Sequence, residues 1–380
     1  MLGREADQLQ HLPLPSRNVR KLDGIQMLRA FAVASVAWLH AGQMVESLRH
    51  GTPLPDLGIS GVDLFFVISG FILCLLTLRD KEEIAGGRAS WKFLQRRIAR
   101  IFPIYWIFSA PEIVHYSHHG WQTAKAYLPG LFLLPSYSYP EPKVLANFGW
   151  TLVFEMFFYL VLAAVLLFTV RRAPQILICL LVLFVVAGEF IGIRHPLLIV
   201  VCNPMILEFA FGGVVALLYA KFGGGHRRVG CALVTLGGAG AVLLSIMHCR
   251  WIAPFPYQIF RDENVLARAL TWGVSCALVV AGVVVWGPSL RSIFGKAAVV
   301  LGNASYSTYL LSGLALPLLN SLFTAVALRH VTVNIWIGGV LQASVVLGVL
   351  MVGVVFYQLV ERPLIRWSFR LLSGEPVRQA

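Results

Sequence analysis

This sequence predicts an all-α, polytopic membrane protein with about ten transmembrane helices in one bundle, and three observations support that prediction. Of the 380 residues, 58% are hydrophobic and 13% charged, and the mean hydropathy is +0.75, a balance that a soluble surface of this size does not tolerate. Apolar runs of spanning length recur along the whole chain. Lys and Arg gather in alternate connections between those runs, the pattern that positive charge leaves on the cytoplasmic side.

The elements follow in order. The first 23 residues are polar, contain Pro13 and Pro15, and show no short apolar stretch ending in a small-residue cleavage site. Residues 1–20 are therefore expected to be a disordered cytoplasmic tail with no removed signal peptide. Spans are read at about 24–44, 61–78, 100–116, 150–170, 175–193, 203–221, 229–247, 265–286, 298–323 and 332–359. Residues 21–366 form the membrane domain, and 367–380 a cytoplasmic C-terminal tail.

Orientation comes from 31 Lys and Arg residues. The N-terminal tail, the joint from Arg79 to Arg100, the short joints at Arg171, Lys221 and Arg291, and the C-terminal tail together hold 22 of them; the opposite set holds 8, and Arg29 lies within a span. Both termini are thus expected to be cytoplasmic. The net charge of +13 reads first as this topology signal and second as contact with anionic lipid, so nucleic acid is not expected as a partner.

The six cysteines fall mostly within spans and show no CxxC or Cys/His ligand spacing, so they read as small apolar filler, with no disulfide framework and no metal site. The outer stretch of about 117–149 is rich in aromatics and proline (Trp121, Tyr127, Tyr137, Tyr139, Pro140), and 248–264 resembles it. Such residues suit a loop over a cavity mouth or an ordinary aromatic belt.

Polar groups within the spans locate the chemistry. Arg29 and His40 are eleven residues apart, which on a helix is about 16 Å of rise and roughly 20° of rotation. They share a face, and since a lipid-facing charge is costly, that face should look into protein or a wet cavity. Glu155 lies about five residues inside the outer end of the fourth span and is expected at the depth of His40. A carboxylate bonded to an imidazole fixes its tautomer and raises its basicity, as a base for a hydroxyl requires; a buried Glu tying two helices together is the other reading.

Asp63, at the start of the second span, is a helix-start carboxylate favoured by the dipole or a polar site group. Ser69 and Gly70 form a small-residue helix contact or allow close substrate approach. With Glu189 and Glu208, the acidic positions at similar depth suggest a polar cavity open to the outside, although each alone is explained by interfacial snorkelling. Arg97 and Arg100, three apart near Arg96, lie on one helical face suited to bidentate contact with phosphate oxygens or to positive-inside anchoring. Pro103 should kink that helix or set its start. Tyr309 lies among hydroxyls of the ninth span, and Glu361 at the end of the tenth is placed to brace the Arg97 and Arg100 group.

In order and content these pieces resemble the membrane acyltransferase 3 family. The matching residues are Leu22-Asp23-Gly24 with Arg29 and His40; Gly61-Val62-Asp63 through Phe65-Phe66 to Ser69-Gly70; Arg97, Arg100, Pro103 and Tyr105; Trp150-Thr151-Leu152, Glu155 and Phe158-Tyr159; Gly302, Ser305-Tyr306-Ser307 and Tyr309-Leu310; and Glu361-Arg362-Pro363. They span about residues 21–366. Many relatives carry a histidine shortly after the Tyr-Leu of the ninth span, where this chain has Ser312.

The resemblance implies an acyl-coenzyme A dependent O-acyltransferase in the bacterial inner membrane. Such an enzyme moves an acyl group, most often acetyl, onto a lipid-linked or polymeric carbohydrate of the envelope, most closely in the manner of members that modify exopolysaccharides. Acyl-coenzyme A is then a donor substrate, with no permanently bound cofactor. His40, oriented by Glu155, is expected to be the base, with Arg29 stabilising charge or guiding the donor. Arg97 and Arg100 hold phosphates, and Asp63, Ser69, Gly70, Trp150, Tyr159, Tyr309 and Glu361 contact substrate.

Two other classes compete. A proton-coupled transporter also places Arg, His and Glu within the membrane, but it commonly shows paired halves with interrupted spans, and no such pairing is evident here. A membrane glycosyltransferase is expected to carry an acidic diphosphate-metal motif in an outer loop, and none is evident in this sequence.

Overall fold

The computed structural model describes residues 23–49, 58, 60–79, 84–118, 120, 125–134, 145, 148–191, 196–247, 259–260, 264–288, 292–325 and 334–373. The N-terminal tail and most of the two aromatic outer stretches, including Trp121, Tyr137 and Tyr139, lie outside the described residues. Within them the chain is helical: α1 Asp23–Arg49, α2 Ser60–Arg79, α3 Gly87–His118, α4 Gly149–Leu166, α5 Ala173–Phe190, α6 Leu207–Phe222, α7 Arg227–Ile246, α8 Val265–Trp286, α9 Ile293–Asn303, α10 Ser305–Ala325, α11 Ile335–Phe356 and α12 Arg362–Ser373.

Each of the ten apolar segments falls on helix. Among the described residues seven helices are long and apolar enough to cross a membrane, so the fold is a polytopic helical bundle while the count of ten is not reproduced. The first and third helices are diluted by the polar residues that build the site, Arg29 and His40 in α1 and Arg96, Arg97 and Arg100 in α3. The ninth segment is split between α9 and α10 at Ala304.

Local chemistry sets the ends. Asn334 caps α11 by accepting from Ile337 N at 2.9 Å, and Ser292 caps α9 by accepting from Gly295 N at 3.1 Å. Gly223 and Gly287 end α6 and α8 at φ of +73° and +62°, a backbone that glycine adopts without steric cost. Pro103 and Pro111 both lie inside α3, so that helix starts at Gly87, well before the expected boundary near residue 100. Pro363 lacks an N–H, and Tyr357–Glu361, which end two residues before it, widen into a π-turn that accommodates it. Beyond it α12 carries helix past residue 366 to Ser373, tied to α3 where Gln95 Nε2 donates to Leu372 O at 2.7 Å.

The core is built around α2. A Cβ on Gly70 would collide with the Phe209 carbonyl, and one on Gly212 with the Val67 carbonyl, so α2 and α6 touch backbone to backbone. Phe66 stacks on Phe209 at 4.5 Å, and Phe209 on Phe158 at 4.5 Å, which extends the contact to α4. Gly302 seats α9 on the Gln26 backbone of α1 in the same way. These contacts leave the opposite face of α2 turned towards α1, α3 and α10.

Candidate active site

That face lines a tall, narrow cavity of about 100 Å³. Its wall on α2 runs from Val62 to Leu73, about 16 Å of helical rise. The α4 wall presents Thr151, Glu155 and Tyr159, a run of i, i+4 and i+8 positions that occupies one stripe. Arg97 and Arg100 come from α3, Arg29 from α1, and Ser305, Tyr306 and Tyr309 from α10.

Glu155 sits at the centre of the polar contacts. The Tyr159 hydroxyl donates to its Oε1, and Ser69 Oγ donates to the same oxygen at 3.5 Å. The Arg97 guanidinium lies over the rings of Phe93 and Tyr159, 5.5 and 5.6 Å from their centroids, while those rings meet edge to face at 6.0 Å and 87°. A cation set against two perpendicular rings in this way is restrained before any ligand binds. Arg97 Nε is buried without a hydrogen-bond partner among the described residues. Tyr306 Oη donates to Ile101 O at 2.9 Å, and Tyr309 Oη shares a 2.9 Å hydrogen bond with Thr151, which fixes the α10 wall.

The cavity carries a surplus of positive charge. Three arginines line it with one carboxylate, and none of the three forms an ion pair within the described residues. Arg29 is within electrostatic reach of Arg100, Glu361, Glu155 and Tyr159. Glu361, outside the lining, offsets part of this charge, and the surplus that remains favours an anionic ligand.

The expected His40–Glu155 pair does not form. His40 Nδ1 lies 3.2 Å from Gln43 Oε1, within its own helix, and His40 is not among the residues lining the cavity. Glu155 instead meets Ser69 and lies in the electrostatic field of Arg29. Depth inferred from the ends of separate spans was misleading here: α1 continues nine residues beyond His40, to Arg49.

Asp63 is also not a cavity residue. Its carboxylate receives two bonds from Arg268 of α8, Nε to Oδ1 at 3.0 Å and Nη2 to Oδ2 at 2.8 Å, with both side chains buried. Glu208 is fully buried beside this pair, and Glu189 is exposed on α5, so the acidic positions do not share one cavity. Arg268 was overlooked because its place near the start of the eighth span counts it among the outer-side basic residues. Since breaking a buried pair strands a charge, Arg268→Met should cost about 3–5 kcal/mol of stability, with Asp63→Asn added to it recovering part of the loss. Thermal unfolding followed by size-exclusion chromatography in detergent checks this, and an unchanged melting temperature in the single variant would show that the pair contributes nothing.

Four further expectations change. Gly70 faces Phe209 and serves helix packing. Trp150 is buried against Phe66 and Phe154, edge to face at 6.4 and 6.2 Å, and lies outside the cavity lining. Glu361 accepts from Ser307 N at 3.2 Å and from the Ser307 hydroxyl, so it braces α10 directly and reaches Arg100 and Arg29 only through space. Ser312 donates to Tyr309 O at 2.7 Å within its own helix. The residues that do come together are Arg29, Arg97, Arg100, Glu155, Ser69, Tyr159 and Tyr309, and Phe93 joins them as a support that sequence reading missed. Among the described residues no three His, Cys, Asp or Glu side chains group as a metal site.

A polytopic helical bundle with a buried polar chamber defines an integral membrane protein with an internal site. Residues 22–358 match the acyltransferase domain Acyl_transf_3, and the chain belongs to that family of acyltransferases. It is similar to the exopolysaccharide production protein ExoZ of Rhizobium meliloti (strain 1021), 29% identical over 320 residues that cover 82% of this chain and 90% of that one. It is also similar to the acyltransferase MdmB of Streptomyces mycarofaciens, 32% identical over 161 residues, 39% of either chain. No solved structure matches the chain significantly.

Proposed function

We propose that this enzyme transfers an acyl group, acetyl in the first instance, from acyl-coenzyme A to a hydroxyl of an envelope or exported carbohydrate. It would do so in the bacterial inner membrane with both termini in the cytoplasm. The observation that carries the donor assignment is the chamber's surplus of three arginines over one carboxylate, a match for a phosphate-bearing donor. The similarity to ExoZ, named for exopolysaccharide production, supports a carbohydrate acceptor.

In this reading Arg29, Arg97 and Arg100 hold phosphate from the side where basic residues concentrate. His40, three turns outward on α1, takes the proton of the acceptor hydroxyl as its oxygen attacks the thioester carbonyl, and returns a proton to the departing thiolate. With Nδ1 donating to Gln43, His40 presents the lone pair of Nε2 as the base. Gln43 thus takes the orienting role expected of Glu155. Glu155 becomes a positioning residue, holding Tyr159 and through its ring the plane of Arg97.

Mass spectrometry of surface polysaccharide and glycolipid from cells with and without the gene tests the reaction class. A glycan lighter by one acyl unit in the deletion strain is expected. Identical acylation in the two strains would overturn the proposal.

A further inference from the structure

The last helix carries a surface that acyl transfer does not use. From Trp336 to Leu372 the chain is helical for 37 residues, about 55 Å of rise against a hydrocarbon core of about 30 Å. No charged residue occurs in α11, so the surplus length falls on α12, which leaves the core. The π-turn at Tyr357–Glu361 and Pro363 stand at that junction, and both are features at which helices bend.

Three faces can be distinguished on α12. Ser368 is buried, and Leu364, Ile365 and Leu372 are half-buried, on the side turned to the bundle, where Gln95 Nε2 holds Leu372 O. Arg362, Arg366 and Arg370, at i, i+4 and i+8, form a second stripe, and Pro363, Trp367 and Leu371 form a third beside it. Trp367 is 60% exposed and Leu371 68% exposed, and Arg362 and Arg370 are exposed with them. The start of α3, packed against α12, adds Trp91, 52% exposed, with Arg88 and Lys92 exposed beside it. No Asp or Glu occurs in α12, or in α3 before Glu112.

A bare apolar stripe is a poor surface to leave in water, and tryptophan beside arginine is the composition of a membrane–water interface. The charge complements an anionic headgroup, and the apolar stripe matches the acyl chains beneath it. We propose that α12, with the start of α3, is a docking surface for anionic phospholipid. The Arg362, Arg366 and Arg370 stripe takes the headgroup phosphates, and Trp367 and Leu371 enter the upper acyl-chain region.

Brominated lipids test this on the full-length protein in nanodiscs. Quenching of Trp367, taken as the difference between the wild type and Trp367→Phe, is compared for brominated phosphatidylglycerol diluted in phosphatidylcholine and for brominated phosphatidylcholine diluted in phosphatidylglycerol. Phosphatidylglycerol should be preferred by about 10-fold or more at low salt, since each basic residue at an anionic surface contributes about 5-fold. That preference should fall as salt screens it, and the Arg362→Gln, Arg366→Gln, Arg370→Gln variant should be quenched equally by both lipids. The lipid comparison and the salt titration decide the matter on wild-type side chains even if the triple variant does not fold. Equal quenching by the two lipids in the wild type would leave α12 an apolar anchor without headgroup recognition and overturn the proposal. Absence of quenching by either would place Trp367 against water or a protein partner, and would overturn it as well.

Discussion

His40→Ala is expected to lower acyl transfer by about 10²–10⁴-fold, the range that a positioned general base contributes, while coenzyme A binds within about twofold of wild type. The separation of these effects follows from geometry. The arginines proposed to hold the donor line the chamber, whereas His40 lies three turns from Arg29 on α1 with Gln43 as its partner. Turnover in nanodiscs and calorimetric titration with coenzyme A measure the two quantities separately. A His40→Ala enzyme that transfers at the wild-type rate would remove His40 from the chemistry. Gln43→Ala should give a smaller loss, because it frees the imidazole tautomer without removing the base.

Arg97→Ala combined with Arg100→Ala is expected to have the opposite signature. Each charge-assisted contact to phosphate is worth about 1.5–3 kcal/mol, so the double variant should raise KM for acyl-coenzyme A by 100-fold or more, to order of magnitude, with kcat at saturating donor changed far less. Arg97→Lys alone should still weaken binding, because a compact ammonium neither packs over the Phe93 and Tyr159 rings as a guanidinium does nor offers a planar fork. Initial rates over a donor titration distinguish the outcomes. A fall in kcat with KM unchanged would show that these arginines act in the transition state and not in donor binding.

Much of this site is legible in the sequence because charge within an apolar span is rare and costly. Arg29, Arg97, Arg100 and Glu155 stand out on that ground alone, and α4 brings Thr151, Glu155 and Tyr159 into line by helical period. What the sequence does not carry is the relative level of two helices. Glu155 and His40 seemed to share a depth because each was measured from the end of its own span, yet α1 extends to Arg49 and Ser69, not His40, meets Glu155. The same limit hides Arg268: partners from distant helices such as Asp63 and Arg268 become visible only when the bundle assembles. Phe93 was missed for a different reason. Pro103 reads as a helix boundary, but α3 runs straight through it from Gly87, and that added length places Phe93 one turn before Arg97.

The most direct test of donor anchoring is a structure of the enzyme in nanodiscs with a non-transferable acyl-coenzyme A analogue, solved by electron cryomicroscopy. The pantetheine phosphate should lie within hydrogen-bonding distance of the Arg29, Arg97 and Arg100 guanidinium groups, with the sulfur beside His40 Nε2. A diphosphate bound outside the chamber, or a sulfur seated next to Glu155 with His40 out of reach, would contradict it.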